Sequence, residues 1–250
     1  MSTTPNFKPK GSLAPLKNVA AMHSLAERLI ERPPHLPGLG VFNGYSGYGK
    51  TFAAIYLQNK KDALRVEIGD SWTRLTLIRA IMKELGVHDP KGTVPRLTEM
   101  AIERLAVPGH PPLLIDEADK AVDKGFIEII REIHEATQVP IILIGEEELP
   151  AKLQRSERTH NRVLEWVAAQ PCDLEDTELL ARLFVPDGVG YSEDFLERNR
   201  RKSGGRARRI TVNLERAVEW ARVHAQKNLD AFPDAEFYTG EPPARGRRAA

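Results

Sequence analysis

Five short apolar runs lie in the first two thirds of the chain, at 39–43, 63–68, 112–116, 139–144 and 164–168, and each reads as a strand. The runs at 112–116 and 139–144 are apolar almost throughout, as parallel strands covered on both faces must be. Between the runs, apolar residues recur at the spacing of a helix. Leu16, Val19, Met22, Leu25 and Leu29 mark one face of a helix over 16–31, which Pro33-Pro34 stops. The same spacing predicts helices over 72–85, 94–105 and 126–137, and a short one from 149 to 154. Strands alternating with helices specify a mostly parallel α/β sheet with helices packed on it, a three-layer αβα core.

After residue 171 the pattern changes. Positions 175–184, 193–201 and 207–226 carry helical periodicity with no strand between them, which predicts a small helical lid appended to the core. Residues 1–14 hold proline, lysine and small polar side chains and read as a flexible arm. From 228 the chain is rich in proline and glycine and ends in Arg245-Gly246-Arg247-Arg248, a flexible basic tail. The expected division is therefore arm 1–14, α/β core 15–171, helical lid 172–227 and tail 228–250.

Between the first strand and the helix that continues through Phe52-Ala53-Ala54-Ile55-Tyr56-Leu57 stands Gly44-Tyr45-Ser46-Gly47-Tyr48-Gly49-Lys50-Thr51. It fits G-x-x-x-x-G-K-[ST], the P-loop, and it sits at a strand-to-helix turn, where that loop works. The glycines let the backbone wrap a phosphate chain, and the helix N-terminus adds amides and positive potential. Lys50 is expected to reach the β- and γ-phosphates of ATP, and the Thr51 hydroxyl to bind Mg²⁺. About 65 residues on, Leu113-Leu114-Ile115-Asp116-Glu117 is an apolar strand ending in two acids, a Walker B pattern. Asp116 is the expected second Mg²⁺ ligand, directly or through water. Glu117 is the expected residue that polarises the attacking water. Asp116-Glu117-Ala118-Asp119 also spells the DEAD tetrapeptide of helicases, but the chain is too short for two helicase-type domains.

Three further features bear on this site. The fourth strand ends in Ile144-Gly145-Glu146, where a γ-phosphate-sensing residue is expected, and Glu146 occupies that region. Lys152, Arg155, Arg158 and Arg162 follow. Arg158 and Arg162, just before the last strand, stand where an arginine finger toward a neighbouring subunit's nucleotide is expected, although a solvated basic face has the same composition. Ser203-Gly204-Gly205-Arg206-Ala207-Arg208-Arg209 opens the long lid helix, and Arg208 is the candidate that reaches back to the phosphates.

Composition narrows the partners. The net charge of +1 excludes a general polyanion-binding chain, so any nucleic-acid surface must come from local segregation. The strongest patch is the run from Arg200 to Arg209, with six basic residues and no acid, together with the tail. Cys172 is the one cysteine, so no intrachain disulfide forms, which fits a reducing cytoplasm. Residues 1–15 show no signal-peptide pattern, and no apolar run approaches the roughly 20 residues that span a membrane.

Taken together, Phe42-Asn43 with the P-loop, Leu114-Ile115-Asp116-Glu117-Ala118-Asp119, Val139-Pro140-Ile141-Ile142-Leu143-Ile144-Gly145 and Gly204-Gly205-Arg206-Ala207-Arg208-Arg209 resemble the AAA+ ATPases over about 16–226. The segment Leu13-Ala14-Pro15-Leu16-Lys17-Asn18-Val19 and the Tyr-Ser-Gly-Tyr loop look more narrowly like transposition protein B of Mu-like transposable phages. That resemblance implies a slow ATPase, stimulated by DNA or a partner, that forms helical filaments or rings on double-stranded DNA in the cytoplasm of a bacterial host cell. It implies selection of the target, activation of a transposase, and disassembly on hydrolysis. The chain departs from the best-known member in having only an arm and one helix before the core, so DNA binding is expected to come from the AAA+ core. Arg74, Lys83, Arg206 and Arg209 are the candidates, among Arg79, Lys91 and Arg96 in the same region as Arg74. An AAA+ replication initiator or helicase loader shares these motifs and is the alternative. A small-molecule P-loop kinase is a third reading, which the lid arginines fit less well.

Overall fold

The computed structural model describes residues 14–107 and 109–241. The chain falls into two compact units, one of Lys17–Gln170 and one that takes in the chain from Pro171 onward.

The first unit holds a five-stranded sheet built from β1 (Leu39–Asn43), β2 (Leu64–Glu67), β3 (Leu113–Asp116), β4 (Ile141–Gly145) and β5 (Val163–Ala168). All strand pairs are parallel, in the order β2-β3-β4-β1-β5. Its helices are α1 (Lys17–Glu31), α2 (Lys50–Lys61), α3 (Arg74–Glu84), α4 (Val94–Leu105), α5 (Ala118–Asp123), α6 (Ile127–Thr137), α7 (Leu149–Gln154) and α8 (Glu157–His160). The expected α/β architecture is what forms. The strands β3 and β4 are buried along their whole length, which is why their sequences are apolar without alternation. Leu39, Val41, Leu113, Ile115, Ile141 and Leu143 point to one face and join a single core with Leu77, Ile81, Leu97, Ile130 and Ile133 of α3, α4 and α6. On the opposite face Gly40 lies against Leu25 and Leu29 of α1. Two elements differ from the sequence reading: α5 and α8, of six and four residues, are too short to show a period.

His134 of α6 is buried at the edge of this core. The Gly38 amide donates to its Nε2 at 3.2 Å, so Nδ1 carries the proton and donates to the Val139 carbonyl at 2.9 Å. Burial holds its pKa below the ordinary 6.5. The unfolded chain therefore binds more protons than the folded one just below that ordinary value. Stability is expected to fall as pH drops below about 6.5, until the lowered folded pKa is passed. Thermal melting followed by circular dichroism between pH 7.5 and 5 checks this. His134→Gln should melt lower at pH 7.5, losing about 1–3 kcal/mol, and should show a shallower pH slope. An equal slope in both proteins removes His134 as the cause.

The second unit contains α9 (Leu174–Phe184), α10 (Glu193–Lys202) and α11 (Ala207–Val223). Asp173 and Ser192 cap the first two, accepting from the Asp176 and Phe195 amides at 2.9 and 3.3 Å. A buried polar chain joins α10 to α11: Asn213 Nδ2 donates to Ser203 Oγ and Ser203 Oγ donates to Asn199 Oδ1, each at 3.0 Å. Cys172 is buried, as a packing residue should be. The tail expected from 228 onward is corrected over its first part. Residues 228–241 are strapped to this unit: Leu229, Phe232 and Phe237 are buried. Asn213 accepts from the Tyr238 amide at 2.6 Å and donates to the Tyr238 carbonyl at 3.1 Å. Proline breaks helical continuity there, but the aromatic residues still find a surface to bury. The basic end at 245–248 and arm residues 1–13 lie outside the described residues.

Candidate functional site

The candidate site stands at the C-terminal ends of β1, β3 and β4, where parallel α/β sheets bind ligands. β1 ends at Asn43 beside Gly145 of β4 in register, and the Gly44 amide donates to the Gly145 carbonyl at 3.3 Å. From there Gly44–Tyr48 curl over the strand end and α2 begins at Lys50. Its N-cap, Gly49, holds φ 82, ψ 18, a left-handed conformation that a side chain resists, and no side chain caps the helix. The first-turn amides of this 12-residue helix are thus open to an anion.

Lys50 is half-buried and folds back on the loop. Its Nζ donates to the Gly44 carbonyl at 2.5 Å and to the Tyr45 carbonyl at 3.0 Å. Burial pulls its pKa below that of an ordinary lysine, while Glu146, Asp116, Glu117 and Glu147 pull it back up. The topology thus brings Lys50 within electrostatic reach of four acids from two other strand ends. Thr51 is exposed on the first turn, and Tyr45 is half exposed, its ring edge-on to Tyr48 with centroids 5.7 Å apart.

Asp116 is buried at the end of β3. Its Oδ1 accepts from the Glu117 amide at 3.0 Å and its Oδ2 accepts from Arg65 Nη2 of β2 at 2.7 Å. Glu117 follows in a left-handed conformation, φ 59, ψ 40, a non-glycine residue held in a costly region, and Lys120 Nζ stands 3.4 Å from its carboxylate. At the end of β4, Asp119 Oδ2 accepts from the Glu146 amide at 2.7 Å. A methyl group on Gly145 would come within 2.1 Å of that oxygen, so no larger residue fits there, and Glu146 is exposed. The donor set of an exposed hydroxyl at Thr51 and a buried carboxylate at Asp116 fits a hard divalent cation such as Mg²⁺. The uncapped helix end with its lysine fits a triphosphate.

The other candidates separate. Arg162 donates through Nε to Glu135 at 2.9 Å, whereas Arg158 is exposed and has no hydrogen bond or ion pair among the described residues. Arg74 is exposed and donates weakly to the Gly125 carbonyl at 3.5 Å, and Lys83 is exposed in the last turn of α3. In the second unit Arg208 is exposed in the first turn of α11, while Arg206 is half-buried. The Arg209 guanidinium lies over Gly240 of the strap. The basic run is partly neutralised: Arg200 and Arg201 pair with Glu197, and Lys202 with Asp234.

Sequence reasoning missed three residues that hold the loop and acids in place: Asn18, Arg65 and Asp119. Asn18 Nδ2 donates to the Tyr48 carbonyl at 2.8 Å and to the Gln170 carbonyl at 2.7 Å, tying the P-loop to the end of β5. A polar residue beside the apolar stripe of α1 was its one visible signal.

Residues 35–153 match the family model described as AAA domain. No curated protein is matched by the sequence. Among solved structures, the Aeropyrum pernix ORC2 protein in ADPNP–ADP complexes is 15% identical with a TM-score of 0.68, over 91% of this chain and 68% of that one. Cdc6p from Pyrobaculum aerophilum is 18% identical with a TM-score of 0.67, over 90% and 66%. The Aeropyrum pernix ORC1 protein in complex with DNA is 17% identical with a TM-score of 0.64, over 88% and 63%. The chain thus spans about two thirds of the length of these structures. Sheet order, loop position and the match to the AAA domain model over residues 35–153 agree, and the chain has the AAA+ P-loop NTPase fold.

Proposed function

We propose that this protein is an ATPase that binds double-stranded DNA without sequence preference, assembles on it, selects a target site and activates a transposase, hydrolysis driving disassembly. The convergence of Lys50 with the acids at the ends of β3 and β4 carries the ATPase part of this reading. Lys50 and the amides of Gly44–Thr51 bind the phosphates. Thr51 and Asp116 hold Mg²⁺, which when bound neutralises charge on the β- and γ-phosphates. Glu117 accepts a proton from the attacking water. Arg158, from a neighbouring copy, is the better finger, because Arg162 is engaged by Glu135. Arg208 is the lid candidate. DNA contacts would be sequence-independent phosphate contacts from Arg74, Lys83 and Arg206, with Arg209 less available. No helix among the described residues is long and apolar enough to cross a membrane, and we place the protein in the cytoplasm of a bacterial host cell.

The transposase partner rests on the resemblance of the motifs given above. The likeness in fold to the ORC and Cdc6p structures favours a second reading, a replication initiator or helicase loader. Negative-stain microscopy with ATP and double-stranded DNA is the test of assembly: filaments or rings are expected, absent with ADP. Monomers alone at micromolar concentration would sink it. A pull-down that recovers a helicase in place of a transposase selects the second reading.

A further inference from the structure

Among the described residues Arg65 is the one basic residue bonded to the acid assigned to Mg²⁺, and no motif in the sequence includes it. It lies on β2, two residues before Glu67, so the two side chains share a face of the sheet. Glu67 is in register with Asp116 of the neighbouring β3. The Arg65 guanidinium bridges these two acids: Nη2 stands 2.6 Å from Glu67 Oε2 and 2.7 Å from Asp116 Oδ2. Its side chain is 14% exposed and that of Asp116 3%, while that of Glu67 is 57% exposed. Arg65 Nε is buried with no partner among the described residues, so one donor of this guanidinium is left unused.

Asp116 therefore has both carboxylate oxygens engaged, Oδ1 by the Glu117 amide and Oδ2 by Arg65. A divalent cation taking a lone pair on Oδ2 must displace the guanidinium or stand beside its charge. Screening at a site this buried is weak, so that repulsion is not dissipated by solvent. Glu67 offers the displaced guanidinium a second carboxylate without leaving the strand. We propose that Arg65 is a positioning residue that competes with the metal for Asp116 and so sets the Mg²⁺ concentration at which this site binds nucleotide. The exchange is one of ion pairs only: Arg65 keeps its bond to Glu67 and releases Asp116 as the metal arrives.

This inference rests on the reading of Asp116 as a metal-binding acid, and two substitutions with opposite expected signs test it. Binding of a fluorescent ATP analogue is titrated with Mg²⁺ in wild type, Arg65→Gln, Arg65→Lys and Glu67→Gln. Arg65→Gln is expected to lower the half-saturating Mg²⁺ concentration about tenfold, since it removes a whole charge from beside Asp116. Glu67→Gln is expected to raise it about threefold, because the guanidinium then has Asp116 as its one carboxylate. Arg65→Lys keeps the charge and should stay near wild type. Both variants moving the same way, or Arg65→Gln raising the requirement or leaving it unchanged, overturns the proposal. Should Arg65→Gln fail to fold, Glu67→Gln, altered at an exposed side chain, still decides: a requirement that does not rise overturns the proposal. No nucleotide binding by the wild type at any Mg²⁺ concentration overturns the ATPase reading and this inference with it. Normal binding without the expected shifts overturns this inference alone.

Discussion

Lys50→Ala is expected to abolish nucleotide binding, with affinity for a fluorescent ATP analogue falling a hundredfold or more. The lysine is the one cation that the loop itself supplies, and Glu146, Asp116, Glu117 and Glu147 all act on it. In the structure its Nζ is held by the Gly44 and Tyr45 carbonyls, at the mouth of the loop it would have to serve. Alanine removes the cation and leaves the four acids facing a polyanion. Removing one partner of a desolvated charge pair costs about 3–5 kcal/mol, which is roughly two to nearly four orders of magnitude in affinity. The loop should survive the change, since its shape rests on Gly49, on the Gly44–Gly145 bond and on Asn18. Retained binding at wild-type strength in a folded variant would show that the phosphates lie elsewhere.

Glu117→Gln is expected to separate binding from turnover. The Glu117 side chain is not what holds the end of β3 together: its backbone amide donates to Asp116, and among the described residues its carboxylate pairs with Lys120 alone, at 3.4 Å. Glutamine keeps the shape and cannot take a proton from water. Phosphate release should fall by about 10²–10⁴-fold while nucleotide affinity stays within a few-fold of wild type. A steady-state phosphate assay beside the binding titration reads both. Hydrolysis at the wild-type rate would move the catalytic role to another acid, with Glu146 and Glu147 at the end of β4 the next to test.

Much of the first unit is legible in the amino-acid order because three of its strands, β1, β3 and β4, are buried on both faces. Such runs as Leu113-Leu114-Ile115 and Ile141-Ile142-Leu143 can be little else once helical periods flank them. The P-loop is legible for a different reason: it is local, and its glycines, lysine and threonine act within one turn. The strap over 228–241 was misread because its apolar residues, Leu229, Phe232 and Phe237, follow no regular spacing and gain their burial from α10 and α11.

Residues that act at a distance stayed hidden for a common reason. Glu67 and Asp116 are 49 positions apart, and nothing in either strand announces that they are in register. That pairing is what lets Arg65 reach Asp116. Arg158 and Arg162 look alike in sequence, and Glu135, on another helix, is what separates them. All five strands, the longer helices, the phosphate-binding loop and the two acids are specified by the amino-acid order, since each is written in contiguous residues or a short period. The strand order, the approach of the β3 and β4 acids to Lys50, the Asn18 clamp and the hold of Arg65 on Asp116 arise in the tertiary structure. Those depend on which strand ends lie side by side, and burial energy settles that across the whole sheet rather than within any one segment.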